Sequence, residues 1–410
     1  MGKAARPAGG QPLVPFREAP LVSLSVHILI GNDANNLSRA LLSVSDIADE
    51  VIVISTAAND HVKSIASEFG ASVLEIPWTD DFASARNHGI DHAQADWILW
   101  LDADEWIDDT TRRELPLCTE HPNVLAWLVT IVDRSGINGT SRFSPTLLPR
   151  LFRRIPELRL AGRVHEHFSP DLWETGHRMG LEVRSSSITI FHDGYSPERE
   201  ADKLRRNARL MERELLDRPD QIFYEIRLSQ ALLKLSDSRA HCFLQRAWDK
   251  VRPITGQVEP PPKPLIAELI DSLIVRQTRG EFDTGWRLDE LHTLAARWFP
   301  LWPPLIWRRA NWMFKQGRFE QASQCLEHLL RLAHEGTYTK TPSFDQSILG
   351  AESCLNLAIC YTALNRLQDA RRYFLIAAGD PNWAEQANKN LALIAKVGSR
   401  TDVQKTELSE

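Results

Sequence analysis

Asp102 and Asp104 stand one residue apart in the stretch Trp97-Ile98-Leu99-Trp100-Leu101-Asp102-Ala103-Asp104-Glu105. The run from Trp97 to Leu101 is bulky and apolar with polar residues on both sides, which predicts a buried strand. An open α/β sheet binds its ligand beyond the carboxyl ends of its strands. Two carboxylates at such an end can hold a divalent cation together with phosphates attached to it. The pair also suits simpler uses, because Asp caps helices and builds turns. The surroundings have to choose between these readings.

The elements that would position the pair are readable in order. Leu24–Ile30 is predicted as a first strand, with Gly31-Asn32-Asp33 as its exit loop. Leu37, Ala40, Leu41 and Val44 recur at helical spacing. Val51–Ile54 is a second strand. Asp60 can cap a helix whose buried face is Val62, Ile65, Ala66 and Phe69, and Gly70 ends it. Ser72–Ile76 is a third strand, Phe82–Ala93 a third helix, and the strand leading to Asp102 the fourth. Strand and helix alternate four times, which predicts a parallel sheet with helices on its faces, half of a doubly wound α/β fold. Beyond Asp109 the rhythm changes, with strands predicted at Val124–Val132, Leu147–Phe152 and Ile188–Phe191 and long loops between them. Such loops carry specificity on a rigid sheet.

From about Pro197 the pattern is helical, beginning with Glu198–Leu216 and interrupted at Pro260-Pro261-Pro262. Gly317-Arg318-Phe319-Glu320-Gln321-Ala322 is echoed by Asn365-Arg366-Leu367-Gln368-Asp369-Ala370 and more faintly by Gly280–Gly285. Leu357, Ala358, Tyr361, Ala370, Phe374 and Ala377 then fall at tetratricopeptide spacing. The tryptophans of this half read as packing between helices, because Trp buries a large area.

Composition narrows the classes. The 410 residues allow two or three domains, and a formal net charge of -6 argues against a general nucleic-acid binder. The five cysteines are scattered without CxxC spacing, which suits a reducing, cytoplasmic setting and neither a disulfide framework nor a zinc site. No apolar run is long enough to span a membrane. The expected division is a tail at 1–20, a sheet domain at 21–196, linking helices at 197–252, a tetratricopeptide-like domain at 253–398 and a tail at 399–410.

Five stretches together resemble a family-2 glycosyltransferase of the GT-A fold. They are Asp49–Ile54; Trp78-Thr79-Asp80-Asp81-Phe82-Ala83-Ser84-Ala85-Arg86-Asn87; Trp97–Glu105; Pro149–Arg153 followed by Gly162-Arg163-Val164-His165-Glu166; and Phe191-His192-Asp193-Gly194-Tyr195. The subgroup resembled carries a C-terminal tetratricopeptide region and includes peptide S-glycosyltransferases of the SunS type. The resemblance implies a mixed doubly wound sheet followed by an all-α region. It also implies a nucleotide-sugar donor, Mg2+ or Mn2+, and inverting transfer to a protein, peptide, glycan or lipid acceptor. The helical repeats would supply a surface for a protein partner or a second copy.

Roles follow from the resemblance. Asp104 would ligate the metal directly, and Asp102 would touch the ribose or bind metal through water. Glu105 reads as a structural anchor. Arg86 and Asn87 would face the nucleotide, Arg86 through paired donors to phosphate, with a surface arginine as the plainer alternative. Trp78 and Phe82 would pack beneath that loop. Glu166 is the candidate base and His165 the second choice, against a structural Glu paired with Arg163. His192 could complete the metal shell. Ser55 stands where the family has a nucleoside-binding carboxylate, Ala57 replaces a Gly, and Asn32-Asp33 replaces Asn-Glu. Ser55 can exchange a hydrogen bond but brings no charge. Two rivals stay open. One is a nucleotidyltransferase, opposed by the lack of a Gly-rich phosphate loop after the first strand. The other is a non-catalytic helical scaffold with a degenerate sheet domain.

Overall fold

The computed structural model describes residues 22–31, 34–134, 145–192, 197–260, 265–340 and 342–407. The sheet half begins with β1 (Leu24–Ile30), α1 (Leu37–Val44), β2 (Glu50–Ser55), α2 (Asp60–Glu68), β3 (Ser72–Glu75), α3 (Phe82–His92) and β4 (Trp97–Asp102). It continues with β5 (Glu105–Ile107), α4 (Asp109–Thr119), β6 (Val124–Asp133), β7 (Thr146–Arg153), β8 (Arg159–Ala161), β9 (His167–Ser169), α5 (Leu172–Met179) and β10 (Glu182–His192). Eight strands form one mixed sheet in the order β3-β2-β1-β4-β7-β6-β10-β5, and β8 pairs with β9 apart from it. The first four strands are parallel, as their βα rhythm requires. β7 then runs antiparallel to both β4 and β6, and β10 runs parallel to β6. The carboxyl ends of β1, β2, β4, β6 and β10 therefore share one edge.

Alternation along β4 decides what faces where. Trp97, Leu99 and Leu101 join the core under α1, α2 and α4. Ile98 and Trp100 join the opposite core beneath α3, where β2 sends Ile52 and Ile54 and β7 sends Phe152. Asp102 continues the Trp100 side, so α3 is the helix that can reach it. α3 starts where Asp81 accepts a hydrogen bond from the Ser84 amide. α2 is capped by Asn59 and not by Asp60, because the Asn59 side chain accepts from the His61 amide while Asp60 is already in the first turn. The sequence pattern missed the short β5, β8 and β9 and the helices α4 and α5. Strands of three residues carry too little alternation to show.

The helical half comprises α6 (Pro197–Asp217), α7 (Ile222–Lys234), α8 (Ala240–Val251), α9 (Leu265–Thr278), α10 (Leu288–Trp298), α11 (Pro303–Lys315), α12 (Phe319–Glu335), α13 (Ala351–Ala363), α14 (Leu367–Ala378) and α15 (Ala384–Glu407). The repeated motif is a turn. Gly317 and Asn365 both take left-handed φ, 71° and 59°, just before α12 and α14. Each thus folds a second helix back on a first, giving α11–α12 and α13–α14 pairs. Gly and Asn are the residues that enter this conformation at least cost. Gly280 has the same φ of 71°, but the next helix waits until Leu288, so that copy is the faint one. Trp248, Trp298 and Trp302 are buried between helices, as packing tryptophans should be. The break expected at Pro260-Pro261-Pro262 lies partly outside the described residues.

The helices expected only as links build a core with the sheet half. Val164, Trp78 and Phe82 pack with Ala208, Met211, Leu215, Tyr224 and Leu228 of α6 and α7. Asp80, itself at φ 59°, accepts from Arg209 at 2.7 Å and also pairs with Arg213. A boundary near residue 197 would cut this contact.

In the helical half His292 is 2% exposed and its ring stacks on Trp312 at 4.8 Å. Burial, helped by Arg309, lowers its pKa to about 4. The folded state therefore disfavours the protonated ring, while the unfolded chain takes the proton near pH 6.5. Stability from this site is complete above pH 6.5 and is lost as pH falls toward 4, by up to about 3 kcal/mol. His292→Phe should flatten the fall in melting temperature between pH 6.5 and 4.5. Parallel melting curves for the parent and the variant across that range would contradict it.

Candidate active site

Three segments far apart in sequence meet at Arg86. From α3 its Nε donates to Glu166 Oε1 at 2.8 Å and its Nη2 donates to Asp102 Oδ1 at 2.7 Å. The side chain is buried, with its guanidinium 4.4 Å from the Trp100 ring centre. Arginine stays charged when buried, so it needs carboxylates beside it. Arg150 of β7 lies on the same face as Phe152 and approaches the same tryptophan at 5.4 Å. Its Nη2 donates to Glu105 at 3.0 Å and lies 3.8 Å from Asp102 Oδ2. Burial would push the Asp102 carboxyl up, but Arg86 and then Arg150, with Lys203 of α6 adding to them, hold it well below the usual carboxylate range. Glu105 is buried and its carboxyl is pushed up by that burial, against the pull of Arg150. Glu105 also accepts from the Asp102 amide at 2.8 Å, which ties the turn after β4 in place.

The loop carrying Glu166 is supported from below. Gly162 has φ 101°, and a Cβ there would lie 2.2 Å from the Tyr224 hydroxyl. That hydroxyl, from α7, donates to the Val164 carbonyl at 3.0 Å. The Arg163 amide donates to Glu214 at 3.0 Å, and its guanidinium pairs with Asp217 at 2.6 Å. Glu166 is thus paired with Arg86 and not with Arg163, which turns toward α6.

Residues 25–169 match the profile described as Glycosyl transferase family 2. The chain carries a family-2 glycosyltransferase domain. A TPR repeat-containing protein of Synechococcus elongatus is 31% identical over 258 residues, which cover 60% of this chain and 60% of that protein. The SPbeta prophage-derived glycosyltransferase SunS of Bacillus subtilis is 24% identical over 210 residues, covering 50% of this chain and 48% of SunS. The chain thus spans between about half and three fifths of the length of these relatives. The solved S. aureus TarS 1-349 overlays 72% of this chain and 92% of its own with 13% identity, at a TM-score of 0.35, too loose a likeness to argue from.

Within the glycosyltransferase domain the residues expected to act are placed as follows. Asp102 ends β4, and its Oδ1 already accepts from Arg86. Asp104 lies partly exposed in the turn to β5, with no hydrogen-bond or ion-pair partner among the described residues. His192 ends β10 in register with Glu105, the neighbour of Asp104. Among the described residues no three His, Cys, Asp or Glu side chains are arranged to hold a metal ion. Asp102, Asp104 and His192 therefore do not meet as a ligand set, and Asp102 is drawn off by the two arginines. His165 is exposed, with φ 55°, its ring 6.2 Å from Phe223. Asn87 does not face open space. Its amide donates to the Leu160 carbonyl at 2.9 Å and accepts from the Leu160 amide at 3.0 Å, pinning β8. Ser55 is buried, and its hydroxyl donates to the Ala57 carbonyl at 2.7 Å. Asn32, Asp33 and Asp193 to Tyr195 lie outside the described residues. Sequence reasoning assigned no role to Arg150, Tyr224 or Lys203. Arg150 sits in the quoted Pro149–Arg153 stretch, but only the pairing of β7 with β4 shows that it faces Asp102.

The Gly162–Tyr224 approach has a measurable consequence. Gly162→Ala should destabilise the fold strongly. Tyr224→Phe alone should cost about 1 kcal/mol for its lost hydrogen bond. Because the hydroxyl is the atom in the way, Gly162→Ala with Tyr224→Phe should be more stable than the two single losses added together, by more than about 0.5 kcal/mol. Strict additivity in urea unfolding would show that the two do not touch.

Proposed function

We propose that this chain is an inverting, metal-assisted glycosyltransferase that moves a sugar from a nucleotide-sugar donor to a protein, peptide, glycan or lipid acceptor. The observation that supports the reading is the Asp102–Arg86–Glu166 bridge, assembled at the carboxyl edge of the sheet inside the family-2 domain. Transfer needs charge to build on a departing diphosphate and a proton to leave the acceptor. Glu166 suits the second task. Arg86 holds its Oε1, which fixes the carboxylate, and Oε2 has no hydrogen-bond partner among the described residues to compete with an acceptor. Arg86, between the two carboxylates, and Lys203, whose charge is felt at Asp102, are the cations beside which a diphosphate would be held.

Asp104, in the turn after β4, and His192, in register with the neighbouring Glu105, would be an oxygen and a nitrogen donor to a divalent cation, with the donor's phosphates supplying the remaining ligands. An oxygen-plus-imidazole set suits Mn2+ better than Mg2+. Such a cation would act as a Lewis acid on the diphosphate. We place the chain in the cytoplasm. All five cysteines are free, and among the described residues no helix is long and apolar enough to cross a membrane. The scaffold reading retains one supporting observation, since Ser55 spends its hydroxyl on Ala57 and brings no charge to a nucleoside.

A panel of nucleoside diphosphates with and without Mn2+ should raise the melting temperature for at least one base, as ligands of the native state do. No shift with any of them would favour the scaffold. Asp104→Asn should remove the Mn2+-dependent part of that shift while leaving the unliganded melting temperature within a degree or so of the parent's. A full shift in the variant would take Asp104 out of the metal role.

Glu166→Gln can still accept from Arg86 through its amide oxygen, so donor binding should survive. Turnover should fall by about 10²–10⁴-fold, because the amide cannot take the acceptor's proton. Near-parental turnover would leave Glu166 as a tether for Arg86 only.

A further inference from the structure

Arg150 is 7% exposed, and its own hydrogen bonds do not account for that burial. A guanidinium carries five N–H donors. Among the described residues Nη2 donates to Glu105 at 3.0 Å, while Nε and Nη1 are buried without a hydrogen-bond partner. Buried donors normally find acceptors, and a buried ion pair with donors unmet is a poor source of stability.

The placement of Nη2 says more. It lies 3.0 Å from Glu105 Oε1 and 3.8 Å from Asp102 Oδ2, so one nitrogen is shared by two carboxylates. The shorter contact is a hydrogen bond and the longer one is not. Arg86 takes Asp102 Oδ1. Oδ2 therefore has a cation beside it and no donor on it among the described residues, which holds its charge and leaves its lone pairs open. The Asp102 side chain is 42% exposed and that of Arg150 is 9% exposed. A ligand can reach the carboxylate, with the arginine behind it.

We propose that Arg150 is a positioning residue of the transfer: it screens Asp102 from the Glu105 charge and so presents Asp102 Oδ2 as an open acceptor to a hydroxyl of the nucleotide-sugar donor. The inference rests on the donor-site reading given above, and it gives Arg150 no contact with the ligand. Glu105 cannot withdraw, because its Oε2 accepts from the Asp102 amide at 2.8 Å. Without a cation beside them the two carboxylates would repel at close range. Asp102 would then turn away from Glu105, and Oδ2 would lose its fixed position. The Trp100 ring, 5.4 Å from the Arg150 guanidinium, gives the cation a second reason to stay.

The test separates this role from plain support of the fold. Removing Arg150 alone would strand the buried Glu105 charge, so Arg150→Gln is combined with Glu105→Gln. The double variant loses one cation and one carboxylate, which leaves the net charge of the cluster as it was. The amide oxygen at 105 can still accept from the Asp102 amide. UDP, GDP, ADP and CDP are titrated with Mn2+ into the full chain by calorimetry, and the parent should bind at least one of them. The double variant should melt within a few degrees of the parent, because a buried ion pair exchanged for neutral groups often costs little. It should nevertheless bind that nucleotide about tenfold or more weakly. Parental affinity would overturn the proposal and leave Arg150 as support for Glu105. Should the double variant melt much lower or fail to fold, Arg150→Lys decides. It keeps a charge beside Glu105 without the planar fork, and it should bind about threefold or more weakly than the parent at a parental melting temperature. Parental affinity there, or a lowered melting temperature there too, would overturn the proposal. A parent that binds none of the nucleotides would overturn the donor-site reading, and the proposal with it. A parent that binds beside a variant that binds equally well would overturn the proposal alone.

Discussion

A buried arginine cannot shed its proton, and that constraint organises the sheet half of this protein. Arg86 is charged and buried, and the carboxylates it pairs with lie outside its own helix. Its two hydrogen bonds go instead to the end of β4 and to the loop after β8. Removing both carboxylates would leave an uncompensated charge in a low-dielectric site, a loss of several kcal/mol. The need to neutralise Arg86 thus holds Asp102 and Glu166 at fixed positions on either side of it. Trp100 lies against Arg86 and Arg150 alike, so one aromatic ring sets how closely two cations approach Asp102. His27, on the neighbouring strand β1, stays neutral in this field. Burial and the nearby Arg86 lower its pKa to about 3.

The second constraint comes from outside the sheet. Glu166 sits on a loop with little secondary structure of its own, and its precision has to come from what lies beneath. Tyr224 holds the Val164 carbonyl, Glu214 the Arg163 amide, and Arg209 and Arg213 hold Asp80 at the start of the same patch. The helices after residue 197 are therefore part of how the site is built, as well as the beginning of the helical array. Stacked helix pairs transmit such support because each pair buries its inner face on the next.

Much of the architecture was legible in the chain because its signals are local. β1 runs over the seven residues that the apolar run marks, and α1, α2 and α3 follow their apolar spacing. The motif copies at Gly317 and Asn365 mark left-handed turns, since few residues other than Gly and Asn tolerate that backbone. Glu105 could be read as an anchor, and it is one. The parallel order of the first four strands follows from βα alternation and the handedness of its crossovers.

What the chain alone could not decide was which side chains pair across distance. Asn87 and Arg86 are adjacent in one motif, yet helical geometry sends Arg86 to Asp102 and Glu166 and Asn87 to the backbone of β8. Glu166 and Arg163 are close in sequence, yet they part, because Gly162 turns the chain so that Arg163 meets α6. The register of β7 against β4 brings Arg150 to Asp102, and no local pattern specifies that register. Residue types and periodicity determined the sheet, the helical array and the candidate carboxylates. Only the packed fold decided which charges are shared, because a buried ion takes its partner from the nearest carboxylate in space and not from the nearest in sequence.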